Sequence, residues 1–261
     1  MYSKMPETTV ETIITSLLSC ENMGANLYNI FDNLCVHNCH HKCIQILIDS
    51  NKVDVAHEDN RALRYASANG RLEVVKLLLS TGKVDVTAED NYTIKYASSN
   101  GYLEVVKLLL STGKVDVTAQ DNFAIRYASR NGHTDVVKIL LSIETINVEA
   151  KCNFAIKTAC ENGHLDVVKL LLSTGKVDIT AEDNYAFRYT CVNGHLDIVK
   201  LLLSIKNVNA SAQNNYAIRN ASRYGHLEVV KLLLSKDKGI DVTAEDNYAI
   251  RYASKNGKEK M

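Results

Sequence analysis

Proline and tryptophan are nearly missing from this 261-residue chain: Pro6 is the single proline, and tryptophan is absent. No helix after residue 6 can therefore be broken by an absent N–H, and the elements must be punctuated by other residues. Net charge is missing too. Thirty Lys and Arg offset thirty Asp and Glu, with a pI of about 7.1. A general nucleic-acid binder is basic overall, so this balance argues against that class. No apolar run approaches membrane-spanning length, so no membrane partner is expected. Glu7 and Glu11 interrupt the front of the chain, and no small-residue cleavage pattern follows, so a secretory leader is not expected. The seven cysteines have no even spacing, which points to free thiols in a reducing, intracellular compartment, cytoplasm or nucleus. Catalytic signatures are lacking as well. There is no nucleophile motif, phosphate loop or dinucleotide fingerprint, so neither catalytic residues nor a cofactor are expected.

What is present is repetition. Asp90-Asn91-Tyr92, Asp121-Asn122-Phe123, Cys152-Asn153-Phe154, Asp183-Asn184-Tyr185 and Asn214-Asn215-Tyr216 recur every 31 residues, and Asp246-Asn247-Tyr248 follows one residue late. Gly70, Gly101, Gly132, Gly163, Gly194 and Gly225 keep the same period. A period of 20–50 residues marks stacked units, because one unit cannot bury its own apolar face. In residues 90–119, Asp90 or Asn91 is expected to cap a helix from Tyr92 to Ser99 through its side chain. Asn100-Gly101 turns the chain, and Leu103 to Ser111 is a second helix, polar only at Glu104, Lys107 and Ser111. Thr112-Gly113-Lys114 ends it, and Val115 to Ala119 is expected as an extended return to the next unit.

The stretch Asn162-Gly163-His164-Leu165-Asp166-Val167-Val168-Lys169-Leu170-Leu171-Leu172 resembles the second half of an ankyrin repeat, and Ala97-Ser98 resembles the end of its first helix. The resemblance covers residues 28–261 and implies an all-α helix-turn-helix solenoid with short extended loops. It also implies a non-enzymatic scaffold that binds a protein partner on the concave side. The units depart from the family in being 31 residues long and in lacking its Thr-Pro-Leu-His box, where Tyr92-Thr93-Ile94-Lys95 and Tyr185-Ala186-Phe187-Arg188 stand instead. The units, rich in Asn, Lys, Ile and Tyr, are similar to the ankyrin arrays that giant DNA viruses encode in many copies, a likeness that would make the partner a host protein.

Residues 28–58 keep the frame in degenerate form, and six further units of about 31 residues follow. Residues 1–27 form an N-terminal capping region. Within it, Thr8 and Glu11 have capping-box spacing before a helix expected over residues 8–20. At the other end, residues 246–261 supply only half a repeat, either a polar lid or a truncation.

Two clusters resemble metal sites. Cys35, His37, Cys39, His40, His41 and Cys43 crowd together, but Cys35 falls in the small buried column of Ala66 and Ala97, and Cys43 in that of Val74. The recurring His133, His164, His195 and His226 are on the order of 10 Å apart if adjacent helices pack normally. Zinc–nitrogen bonds of about 2.0–2.1 Å cannot bridge that spacing. No metal is expected.

Comparing units separates scaffold from reading positions. The inner column is uniformly apolar: Leu63, Ile94, Ile125, Ile156, Phe187, Ile218 and Ile250. Five residues on, the column is variable, with Ala68, Ser99, Arg130, Glu161, Val192, Arg223 and Lys255. The family resemblance puts this position on the concave groove, so Arg130, Glu161, Val192 and Arg223 are expected to contact the partner. Four residues before it runs a basic column: Arg64, Lys95, Arg126, Lys157, Arg188, Arg219 and Arg251. The i,i+4 relation puts both columns on one helix face. Either these cations pair with loop acids such as Glu89-Asp90 and Glu182-Asp183, or they form a groove for an acidic partner or anionic polymer. Lys157 and Arg219 follow loops without an acid and are expected to be the least neutralised; Arg126 and Arg188 complete the candidate set. A third column, Tyr92, Phe123, Phe154, Tyr185, Tyr216 and Tyr248, is expected as inter-repeat packing. A monomer is expected, and a gene copy without any partner remains an alternative.

Overall fold

The computed structural model describes residues 6–19, 24–37, 41–236 and 239–255. Among them it contains sixteen helices and no strand, which places the chain in the all-α helical-repeat class. It comprises two compact units, residues 1–124 and 125–261, whose boundary falls inside one helix.

In the first unit, α1 (Glu7–Leu18), α2 (Gly24–His37) and α3 (His41–Asp49) precede two regular pairs, α4 (His57–Ala68) with α5 (Leu72–Ser80) and α6 (Ala88–Ser99) with α7 (Leu103–Ser111). α8 (Ala119–Arg130) begins in this unit. α2, α4 and α6 form one layer, and α1, α3, α5 and α7 form the other. The second unit continues with α9 (Thr134–Leu141), α10 (Ala150–Glu161), α11 (Leu165–Ser173), α12 (Ala181–Val192), α13 (Leu196–Leu203), α14 (Ala212–Tyr224), α15 (Leu227–Ser235) and α16 (Ala244–Lys255). Here α10, α12, α14 and α16 stack as first helices, and α9, α11, α13 and α15 as second helices.

The core follows the periodic apolar residues. Most second helices bury a Val-Val/Leu triad, such as Val105, Val106 and Leu109 or Val167, Val168 and Leu171, while α3 substitutes Cys43 and Ile44 and α13 substitutes Ile198 in its first position. Leu63, Ile94, Ile125, Ile156, Phe187 and Ile218 are buried from the first helices. Ile250 departs from this column and is 51% exposed. Most acids in the first turns of the second helices pair with the lysine three residues on, as in Glu73–Lys76 and Glu228–Lys231, on the outer, wet stripe. No helix among the described residues is long and apolar enough to cross a membrane.

Two expectations are corrected. The helix near the start spans Glu7–Leu18, and Thr8 lies inside it without a side-chain cap, so the Thr8–Glu11 box does not form. The return from Val115 runs as loop and turn as far as Thr118, and Ala119 opens α8. The second correction concerns helix entry. Before each regular first helix the chain makes three consecutive left-handed residues, Glu89-Asp90-Asn91 in α6 and Glu182-Asp183-Asn184 in α12, with φ of 51–61°. Neither Asp90 nor Asn91 caps the helix by its side chain. Instead Asn91 Oδ1 accepts the Asp116 N–H of the following unit at 2.7 Å, and Asn184 accepts that of Asn209 at 2.9 Å. Left-handed backbone costs an L-residue roughly 1–2 kcal/mol, least for Asn and Asp. The cross-repeat bond is what the turn gains in exchange.

Candidate functional site

The basic column is built onto those left-handed turns. In the first unit, Arg64 donates Nε to Asp59 O and Nη2 to Glu58 O, both at 2.9 Å. In the second, Arg188 reaches Asp183 O at 2.9 Å and Glu182 O at 3.1 Å. Arg219 reaches Asn214 O at 2.8 Å and Gln213 O at 3.2 Å. The turn directs carbonyl oxygens at the first helix, and a planar guanidinium matches two of them at once. A lysine reaches one: Lys95 Nζ lies 3.5 Å from Glu89 O. Burial holds the Lys95 ammonium below its usual pKa, with Asp90 and Glu89 pulling the other way.

These contacts revise the expected pairing. Most partners are backbone oxygens of the column's own turn, not loop carboxylates. Lys157, expected to lack a neutralising acid, pairs with Glu182 of the next unit at 2.5 Å and is buried. Arg219, expected to be similarly free, has two donors committed to carbonyls. Arg126 is buried as well.

Each cation from Arg64 to Arg219 also lies over an aromatic ring of the following unit. Arg126 sits 5.2 Å from the Phe154 centroid, Lys157 5.3 Å from Tyr185, Arg188 5.1 Å from Tyr216 and Arg219 5.4 Å from Tyr248. The first unit repeats the motif with Arg64 over Tyr92 at 5.3 Å. A second aromatic column, four residues after the first, completes the face. Tyr185 stacks on Tyr189 at 4.2 Å, and Tyr189 lies 5.9 Å from Tyr216. Sequence reasoning missed this column, although Tyr65, Tyr96 and Tyr127 recur at 31 residues. Thr158 and Asn220 interrupt it and hide the period.

The variable column stands at the C-terminal ends of these helices. In the first unit it is bland, with Ala68 half-buried and Ser99 only 8% exposed. In the second, Arg130 and Arg223 are exposed, and Glu161 and Val192 are half-buried. Among the described residues Arg130 makes no hydrogen bond through its guanidinium and no ion pair; its contact is the Tyr127 ring at 5.9 Å. Glu161 Oε2 accepts the Tyr185 hydroxyl at 3.2 Å. Burial, and next Glu161, push the Tyr185 phenol up to about 12. Arg223 donates to the Tyr248 hydroxyl at 3.1 Å and lies over the Tyr252 ring at 5.4 Å.

The histidines hold this column's backbone. His164 bonds Arg130 O and His195 bonds Glu161 O, both at 2.9 Å, and His226 bonds Val192 O at 2.8 Å. Asn162 and Asn193 donate to the first two of these oxygens. Carbonyls left open at a helix C-terminus are thus closed by the next unit. Gly132 and Gly163, at positive φ, leave room for the rings: a Cβ there would lie 2.5 and 2.6 Å from His164 and His195. The histidines therefore have a structural occupation. Of the other cluster, Cys35 and Cys43 are buried in the core, while Cys39, His40 and the His37 side chain lie outside the described residues. Among the described residues no group of His, Cys, Asp and Glu could hold a metal ion. Lys255, the last of the variable column, has no described side chain, and residues 256–261 of the terminal half repeat also lie outside.

Compared with known proteins, the chain matches a family model described as ankyrin repeats in three copies, over residues 10–90, 94–183 and 159–246. No curated protein matches it.

Proposed function

Given that the chain belongs to the ankyrin-repeat family, whose members are generally protein-interaction modules, we propose that it binds a protein partner, without catalysis, through the first-helix face of residues 125–261. Arg130, Glu161, Val192 and Arg223 read the partner, and Arg126, Lys157, Arg188 and Arg219 hold the surface in shape. One observation carries this reading. The four variable side chains differ in charge and polarity, while the backbone carbonyls of three of them, Arg130, Glu161 and Val192, are each held by a histidine of the next unit. A scaffold position would repeat its side chain as well. The rigid backing keeps the ordering cost of binding low. Commitment of Arg188 and Arg219 to carbonyl oxygens leaves a phosphate-tracking groove with little support.

The test is site-specific photo-crosslinking in a lysate of the cells that make the protein. A photoreactive amino acid replaces Val192 in one sample and Lys231, on the outer second-helix face, in another. A protein crosslinked from position 192 and not from 231, and lost when Arg130 and Arg223 become Ala, is the expected result. Equal crosslinking from both positions would refute the assignment of the face.

A further inference from the structure

The four reading positions differ in a fixed order, and that order is a template for the partner's sequence. From α8 to α14 the column presents Arg130, Glu161, Val192 and Arg223: cation, anion, apolar, cation. Stacked helices lie roughly 8–10 Å apart. A peptide in the polyproline II conformation advances about 3.1 Å per residue and brings every third side chain back to the same face. One repeat therefore corresponds to three peptide residues, and four positions span about ten. Side chains at every third residue of such a segment would meet successive column members.

Each position states its complement. Arg130 offers an exposed guanidinium fork whose donors meet no hydrogen-bond or ion-pair partner among the described residues, so a carboxylate fits it bidentately. Glu161 has one carboxylate oxygen on the Tyr185 hydroxyl and no cation partner among the described residues, although Lys157 stands on the same helix and pairs with Glu182 instead. A lysine or arginine of the partner fits there. Val192 is apolar and half-buried between them and Arg223. Arg223 is exposed and held by the Tyr248 hydroxyl and the Tyr252 ring, which presets its guanidinium for a second carboxylate. The histidine bonds to the column's carbonyls keep the spacing constant.

We propose that the partner docks as an extended, polyproline-II-like segment of about ten residues carrying acid, base, apolar and acid at every third position, in either chain direction. This rests on the reading that the partner binds this face.

The experiment is selection of displayed random 14-residue peptides against the full chain, followed by fluorescence anisotropy of synthetic copies. The expected outcome is enrichment of acid-x-x-base-x-x-apolar-x-x-acid or its reverse. Binding should fall at least about tenfold in Arg130→Glu and recover when the peptide's facing acid becomes lysine, a coupling worth about 1.4 kcal/mol or more. Enriched peptides that lose binding in Arg130→Glu and Arg223→Glu but lack the pattern would overturn the template and leave the face in place. Enriched peptides indifferent to both substitutions would overturn the template and count against the face. Failure to enrich any peptide, beside successful crosslinking from position 192, would overturn the extended-segment inference alone. Circular dichroism of both variants, whose changed side chains are exposed, checks that they remain folded.

Discussion

Replacing Arg188 tests whether the basic column holds the left-handed turns. Its guanidinium donates to Asp183 O at 2.9 Å and Glu182 O at 3.1 Å and lies 5.1 Å from the Tyr216 centroid. Hydrogen bonds from a charged donor are worth about 1.5–3 kcal/mol when shielded; partial exposure here brings each to roughly 1 kcal/mol. The cation–π contact adds roughly 0.5 kcal/mol. Arg188→Ala should therefore destabilise the protein by about 2–3 kcal/mol, a fall of roughly 4–12 °C in Tm for a chain of this size. Arg188→Lys keeps the charge but cannot bridge two carbonyls, so it should recover only about half of that. Lys95, which reaches a single carbonyl at 3.5 Å in the same column, is the natural precedent. The assay is urea and thermal unfolding, with hydrogen exchange followed in residues 181–192, where protection should fall most. If Arg188→Lys matches the wild type, the column acts through charge alone and the staple argument fails. If Arg188→Ala costs under about 0.5 kcal/mol, water serves those carbonyls equally well.

Two other outcomes follow from the geometry. Hydrogen bonds from Thr87, Thr180 and Thr243 hold the Asp85, Asp178 and Asp241 carboxyls below their usual range. Because these folded values lie below the unfolded one, the stabilisation is complete above about pH 4 and disappears as pH falls through the folded values. Urea midpoints of a triple Asp→Asn variant should fall less steeply with acid than those of the wild type, and parallel curves would refute the linkage; Asn209 already fills the position with its own bond to Ser211. Gly175 and Gly163 both have positive φ, but a Cβ meets nothing within 4 Å at Gly175 and lies 2.6 Å from the His195 ring at Gly163. Gly175→Ala should cost about 1 kcal/mol, and Gly163→Ala clearly more, because it also displaces the His195 bond to Glu161 O. Equal losses in thermal unfolding would show that the ring is not held there.

The sequence by itself determined the period, the helix pairs, the buried columns and the face shared by the basic and variable residues. Those features depend on neighbours three, four and seven residues apart, or on self-similarity, and both can be read along a string. The family resemblance rested on the same residues, and the structure and the family match agree with it. Only the tertiary structure decided what each polar column touches. Asn91 looked like a helix cap because caps are local, but it bonds Asp116, 25 residues on. Lys157 looked unpaired because its own loop lacks an acid, and its partner Glu182 also lies 25 residues on. Spacing alone argued the histidines away from a ligand set, but only stacking shows what they do, with the rings of His164, His195 and His226 each on a carbonyl 34 residues back. Such offsets are set by how one helix pair lies on the next, a geometry that no local pattern in the chain encodes. The same stacking left Arg130 and Arg223 exposed in a column whose carbonyls at Arg130, Glu161 and Val192 are fixed, giving the variable positions a defined order of charge.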